Sequence, residues 1–173
     1  MLPPTPSQTV GPFYAYALPF AGGGDIAPAG RPDAVTVHGY VRDGHGDPVP
    51  DALLEFWQGG TGLPGSLRRD GVHVTGFGRV ATDADGHWAV RTLPPRAATP
   101  YLSVCVFARG LTHHLYTRAY VGDPPPDGTD ALFAAVPEER RPTLIAVPDG
   151  ERTYRFDVRL QGEKETVFLD FRG

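Results

Sequence analysis

Apolar and polar residues alternate over positions 35–42, where Val35, Val37 and Val41 share one side of the chain. A period of two is typical of a half-buried β-strand. Shorter apolar runs follow, separated by turn sequences rich in glycine, aspartate and proline. They predict further strands at 52–58, 77–82, 88–93, 101–108, 113–121, 143–147, 153–160 and 166–171, with helical turns only around 129–141.

The first 32 residues show no sustained period and contain seven prolines, which cannot donate a backbone N–H to a sheet. They predict an extended N-terminal arm, residues 1–32, ahead of a single domain, residues 33–173. Five apolar or aromatic side chains of the arm need a surface to cover them, so we expect the arm to pack on a partner subunit. These side chains belong to Phe13, Tyr14, Tyr16, Leu18 and Phe20.

Composition narrows the fold class. The 173 residues carry a net charge of −4, with 40% hydrophobic and 21% charged residues, which suits one folded, soluble domain. The 22 glycines and 19 prolines interrupt the chain too often for long helices. Eight or nine short strands without alternating helices predict an all-β fold, an antiparallel β-sandwich with an extended N-terminal arm. Segments 39–58 and 82–93 also resemble the core of transthyretin-like sandwiches.

Cysteine usage and charge bear on location and partners. The single cysteine, Cys105, cannot form an intrachain disulfide, and the first residues lack the pattern of a signal peptide. We therefore expect a cytoplasmic protein. Lysine and arginine form no block longer than two residues, and no window approaches the roughly 18 apolar residues of a membrane span. Neither nucleic acid nor a membrane is an expected partner.

Six histidines are the natural candidates for metal ligands, but their spacing does not favour a site. Two histidines project from one face of a strand only at i and i+2, whereas His113 and His114 are adjacent. For this pair we weigh surface or packing roles above metal binding. The other four are His38, His45, His73 and His87.

Arg109 is the most informative single residue. It directly follows an apolar strand and precedes Gly110, which lets the backbone turn. From the residues alone, a role in a site and a snorkelling arginine at a strand end are equally supported. Cys105 lies inside an apolar run, where a thiol stays protonated and inert, and no nucleophile-elbow motif is present.

Three regions of the sequence together resemble the intradiol ring-cleavage dioxygenases. They are TPSQTVGPF in the arm, EFWQ with GFGRVATDADGHW, and FARGLTHHLYTRAYV with YRFDVRLQGEKETVFLDF. The resemblance covers essentially the whole chain. It implies a heteromeric enzyme of alpha and beta subunits, in which the homologous beta subunit holds a non-haem ferric ion, Fe(III), through two tyrosines and two histidines.

The same resemblance implies that this chain is the alpha subunit and binds no metal. The paired histidines of the family correspond to Tyr101 and Ser103, and the first tyrosine corresponds to Gly65. The second tyrosine would fall between Leu93 and Tyr101, where this chain is too short for the family's loop. All four ligand positions therefore lack a ligand, and we expect no catalytic residue and no bound cofactor on this chain.

By resemblance, four residues line the partner's substrate pocket: Thr9, Gly11, Pro12 and Arg109. Their types suit this role, because Arg109 would bring a permanent positive charge towards an anionic aromatic acid. The implied activity is intradiol cleavage of 3,4-dihydroxybenzoate with dioxygen to 3-carboxy-cis,cis-muconate, and the alpha subunit alone is expected to be inactive.

Two other classes stay open from the sequence. A stand-alone transthyretin-like binding module would explain segments 39–58 and 82–93, but it gives no reason for the arm and C-terminal motifs. A self-sufficient metalloenzyme would use some of the six histidines. Stoichiometric metal in the purified chain would favour that second class.

Overall fold

The structure is a computed structural model, which describes residues 3–11, 13–59, 74–96, 98–126 and 128–171. Most regular structure in this part of the chain is β-sheet. Three helical segments lie in the described ranges, α1 (Tyr14–Ala17), α2 (Ala131–Ala135) and a 3₁₀ helix (Glu138–Leu144). The strands are β1 (Val35–Arg42), β2 (Leu53–Trp57), β3 (Phe77–Ala81), β4 (His87–Thr92), β5 (Tyr101–Phe107), β6 (Leu115–Val121), β7 (Ile145–Pro148), β8 (Thr153–Arg155) and β9 (Val158–Arg159).

The strands form one continuous path in the order β3-β2-β5-β6-β7-β8-β1-β4, with β9 paired to β1. The predicted all-β class is confirmed, but the predicted antiparallel sandwich is wrong in its pairing, because the sheet is mixed. β6 and β7 run parallel, and β1 runs parallel to both β8 and β9. Residues 122–144, which include α2 and the 3₁₀ helix, supply the long crossover that parallel neighbours require.

A segment of the predicted arm joins the two ends of this curled sheet. The carbonyl oxygen of Gly23 accepts a hydrogen bond from the N–H of Arg79 in β3, at 2.9 Å. The carbonyl oxygen of Gly24 accepts one from the N–H of Arg91 in β4, at 2.8 Å. A Cβ at Gly23 would lie 2.1 Å from the Arg79 carbonyl oxygen, so only glycine permits this approach. We call residues 23–27 the seam.

The seam also fills the core, where Ile26 is fully buried. Burial of an isoleucine side chain contributes about 2–3 kcal/mol. Within the same cluster the rings of Phe56 and Trp88 lie 4.8 Å apart. Within the predicted arm of residues 1–32, the seam therefore contributes to the same core as the strands.

The strand β1 has the predicted alternation of buried and half-buried residues. Two predicted strands differ from the structure. The run 153–160 is interrupted because the carboxylate of Asp157 accepts the N–H of Tyr40 at 3.1 Å, in place of a backbone partner. The run 166–171 forms only an isolated bridge, between Leu169 and Tyr116. Helical turns around 129–141 are confirmed, whereas α1 replaces the extended backbone predicted for the arm.

No helix of the described residues is long and apolar enough to cross a membrane.

Candidate functional site

The arm docks on the turn that follows β5. The Thr9 hydroxyl oxygen accepts a hydrogen bond from the N–H of Gly110 at 2.9 Å. Two residues earlier, the Ser7 hydroxyl donates to the carbonyl oxygen of Thr112. Two side-chain hydrogen bonds, from Ser7 and Thr9, thus hold residues 7–9 of the arm along the loop 108–114.

The turn forms where the buried strand β5 ends and a charged residue and a glycine follow. Ala108 is buried at the end of the strand, and Gly110 adopts a φ of +88°, a left-handed conformation that favours glycine. Arg109 lies between them, and its side chain is 61% exposed. The local sequence thus projects a guanidinium from the end of an apolar strand.

Asp51 connects Arg109 to the arm. Its carboxylate forms a salt bridge with the Arg109 Nε, and its main-chain carbonyl oxygen accepts a hydrogen bond from the hydroxyl of Tyr14. Tyr14 is the one buried residue of α1. Burial raises the pKa of Tyr14 to about 12; the Asp51 charge acts in the same direction and the Arg109 charge opposes it. The hydroxyl is therefore protonated at neutral pH and able to donate.

Of the four residues predicted to line a substrate pocket, the structure brings two together. Thr9 lies at the same turn as Arg109, because its hydroxyl accepts the N–H of Gly110, the next residue along the chain. Gly11 is exposed, and a Cβ placed on it meets nothing within 4 Å, so the packing of this chain alone does not require glycine there. Pro12 lies outside the described residues.

Sequence reasoning missed Tyr14 and Asp51 as members of this cluster. Tyr14 is one of several aromatic residues in an arm without periodicity, and Asp51 is one of several acids near turns. Nothing local distinguishes either from its neighbours, because their contacts join positions 14, 51 and 109. The proline-flanked segment around residue 50 is a weak hint, since it predicts a fixed turn.

The two described ligand positions, Tyr101 and Ser103, lie on a different surface, the outer face of β2, β3, β5 and β6. Ser103 is exposed there and lines an open cavity of about 360 Å³. Tyr101, two residues earlier, packs against the guanidinium of Arg118, whose central carbon is 3.9 Å from the ring centroid. Gly65 lies outside the described residues. We call this cavity the β5 cavity; its other lining residues include Glu55, Trp57, Phe77, Cys105, Tyr116 and Arg118.

The polar groups of the β5 cavity do not fit a ferric ion. The Glu55 carboxylate is 2.6 Å from the Arg79 guanidinium and is thereby occupied. Burial, with the Glu55 charge acting in the same direction, raises the pKa of the Cys105 thiol to about 12, so it does not supply a thiolate at neutral pH. Ferric iron prefers hard anionic oxygen and imidazole ligands, but among the residues that the structure describes no histidine lines this cavity. At the positions of the family's paired histidines stand Ser103 and Tyr101, whose ring packs on Arg118.

The charge of Arg118, on the same face, is balanced by a carboxylate of this chain. The Arg118 guanidinium lies 3.0 Å from the Asp130 carboxylate, which also accepts the Tyr120 hydroxyl at 2.8 Å. The pKa of Asp130 lies below its ordinary value, although burial acts to raise it. It is lowered by hydrogen bonds from the Phe133 N–H and the Tyr120 hydroxyl and by the charge of Arg118. Asp130 also caps α2, so this network serves the fold.

Among the described histidines, His38 and His87 form a pair, and the others are exposed. His38 and His87 share a hydrogen bond of 3.2 Å between ring nitrogens, and His38 also contacts the Asp149 carboxylate at 3.0 Å. His113 and His114 are exposed, and His73 lies outside the described residues. Across the described ranges, no group of three or more histidine, cysteine, aspartate and glutamate residues could hold a metal ion.

Comparison with solved structures defines the class. The chain is 29% identical to the dioxygenase domain of a dioxygenase and carbohydrate-binding protein fusion from Streptomyces sp. SirexAA-E, with a TM-score of 0.60 over 80% of this chain and 87% of that one. An intradiol ring-cleavage dioxygenase from Tetranychus urticae has a TM-score of 0.59 over 82% of this chain and 89% of that one, at 14% identity, which supports the fold alone. The fold is that of the intradiol ring-cleaving dioxygenases.

Comparison with curated sequences is more specific. The chain is 42% identical to the protocatechuate 3,4-dioxygenase alpha chain of Burkholderia cepacia over 96% of both chains. It is 36% identical to the alpha chain of Pseudomonas putida over 99% of this chain and 98% of that one. The chain therefore belongs to the family of protocatechuate 3,4-dioxygenase alpha chains, which confirms the resemblance seen in its sequence.

The beta chain of the Burkholderia cepacia enzyme is also a homologue, 26% identical over 78% of this chain and 67% of that one. No model of a protein family matches the sequence.

Proposed function

We propose that this chain is the iron-free alpha subunit of a heteromeric protocatechuate 3,4-dioxygenase. The observation that carries the proposal is the identity of 42% to an alpha chain along nearly the full length of both proteins. The enzyme would cleave 3,4-dihydroxybenzoate between its two hydroxylated carbons, and dioxygen would supply both oxygen atoms inserted into 3-carboxy-cis,cis-muconate. A cytoplasmic location is part of the same proposal and rests on the sequence alone.

The partner in this proposal is a homologous beta subunit that holds the ferric ion. Support comes from the β5 cavity, whose carboxylate is already paired with Arg79 and whose thiol is held protonated. The similarity of this chain to a beta chain supports a pairing of related subunits. A stand-alone transthyretin-like binding module is not favoured, because the similarity to enzyme subunits extends over nearly the entire chain.

The arm residues before the seam form the proposed contact with the beta subunit. Phe13 is 75% exposed and Tyr16 is 85% exposed, and Leu18 and Phe20 lie on the same segment with exposures of 42% and 40%. Clustered apolar exposure of this kind marks a protein interface. We call residues 13–20 the arm patch.

Arg109 is the proposed contribution of this chain to substrate binding. Its guanidinium is permanently charged and mostly exposed, and it can form paired hydrogen bonds with the carboxylate of an aromatic acid. Thr9 fixes the arm beside it through Gly110. Gly11 and Pro12, which continue the arm, are proposed to complete the same wall of the partner's pocket.

The division of work between the subunits follows. The ferric ion of the beta subunit would supply the activation of the catechol ring. The alpha subunit would orient the substrate through its carboxylate and would exclude water from one side of the pocket, which strengthens charge interactions there. None of its side chains is required to transfer a proton.

The substitution Arg109→Ala in the co-purified pair of subunits tests this role. We expect kcat/KM for 3,4-dihydroxybenzoate to fall by about ten- to a hundredfold, because a charge-assisted, paired hydrogen bond is lost. Iron content should be unchanged. The matched control is Arg31→Ala, which removes an exposed arginine that is paired with Asp33. Loss of iron in the Arg109 variant would place this residue in the ligand shell and contradict the proposal.

A further inference from the structure

Asp51 lies in the turn before β2 and contacts both parts of the site. Through its side chain it binds the Arg109 Nε, and through its main chain it accepts the Tyr14 hydroxyl. Its side chain is only 23% exposed, compared with 61% for Arg109. The carboxylate is therefore the fixed member of the pair, and the guanidinium is the member that reaches solvent.

Which guanidinium nitrogen of Arg109 contacts Asp51 determines which N–H donors are left for another ligand. A guanidinium carries five N–H donors in a rigid planar fork. The salt bridge to Asp51 uses Nε, and the exposure of the side chain leaves donors of the fork accessible to another group. A long side chain held in one orientation loses less conformational entropy when it binds a ligand.

We propose that Asp51 is a positioning residue that holds the Arg109 guanidinium ready for the carboxylate of the aromatic substrate. This inference rests on the proposed function. Asp51 touches no substrate in this scheme and acts only through Arg109. Its main chain also anchors Tyr14. The turn that contains Asp51 therefore positions both the arm and the Arg109 guanidinium.

A competing electrostatic effect has the opposite sign. The Asp51 carboxylate lowers the positive potential near Arg109. If that effect dominated, removal of the carboxylate charge would tighten binding of an anionic substrate. The sign of the change in KM therefore separates a positioning residue from a competitor for the guanidinium.

The test uses the co-purified pair of subunits with Asp51→Asn, Arg109→Ala and the double variant. Asparagine keeps the main-chain carbonyl that Tyr14 contacts, so the arm anchor is preserved. We expect Asp51→Asn to raise KM for 3,4-dihydroxybenzoate about tenfold, with kcat within about twofold of the original and iron content unchanged. In the Arg109→Ala background the same change should have no further effect, since Asp51 acts through that side chain.

Controls separate this effect from a general loss of structure. Asp33→Asn removes a carboxylate from an exposed aspartate–arginine pair and should leave KM unchanged. Asp51→Glu keeps the charge and should return KM to within about threefold of the original.

Three results would overturn the inference: a lower KM in Asp51→Asn, an unchanged KM, or an effect of equal size in the Arg109→Ala background. The last would show that Asp51 acts structurally and not through Arg109. If Arg109→Ala itself leaves kcat/KM unchanged, the proposed role of Arg109 fails first. If Arg109→Ala has its effect and Asp51→Asn has none, only the positioning role fails.

Discussion

The arm patch and the seam lie next to each other in the sequence, yet their exposure is opposite. In the arm patch, Phe13 and Tyr16 are 75% and 85% exposed. In the seam, Ile26 and Ala27 are fully buried, and backbone hydrogen bonds join the segment to both β3 and β4. The same kind of apolar residue thus serves the domain's own core in one segment and remains uncovered in the other.

Apolar residues of one arm therefore have two roles, which depend on whether the backbone around them has partners in the sheet. Where backbone N–H and carbonyl groups find partners in the sheet, the segment contributes to folding. Where apolar side chains stay exposed and the contacts are a few side-chain hydrogen bonds, the segment is available to a second protein. Ser7 and Thr9 contact the turn after β5 in this second way.

A charge placed inside the seam should destabilise the chain more than any other substitution considered. Ile26→Asp places a charge in a fully buried position, and we expect the free energy of unfolding to fall by at least about 4 kcal/mol. Urea unfolding of the purified chain, or its loss from the soluble fraction, measures this. Val147→Asp is the control, because Val147 is 50% exposed and the change should cost less than about 0.5 kcal/mol. Equal stability of the two variants would show that the seam does not support the core.

The next effect concerns pairing rather than folding. Deletion of residues 1–20 removes the arm patch and leaves the seam intact, so the domain should still fold. It should no longer co-purify with the beta subunit, since the apolar surface that joins them is lost. Co-expression with a tag on the beta subunit measures the fraction of alpha chain retained.

Deletion of residues 1–6 is the matched control for that experiment. It leaves the contacts of Ser7, Thr9 and Tyr14 in place, and pairing should be normal. Normal co-purification of the chain without residues 1–20 would contradict the proposed role of the arm patch.

Much of the fold could be predicted from the sequence, because local patterns encode strands. The alternation of β1 matches its burial along all eight residues. The mixed pairing could not be predicted, since a strand has the same period in a parallel and an antiparallel neighbourhood. The seam was missed for a related reason: its partners, Arg79 and Arg91, are more than fifty residues away.

The site shows the same limit. Arg109 could be singled out because a charge follows an apolar strand and a glycine follows the charge. Thr9 came from a resemblance to a family and not from any local pattern. Asp51 and Tyr14 could not be found either way, because their importance lies in contacts between distant segments.

Iron content and ring-cleavage activity, measured on the purified chain alone and on the co-expressed pair, show whether this chain works only as the iron-free partner of a beta subunit. The proposed division of roles predicts a colourless, inactive chain without stoichiometric iron, and a coloured, active pair whose iron follows the beta subunit. An isolated chain that binds iron and opens the ring of 3,4-dihydroxybenzoate would contradict it.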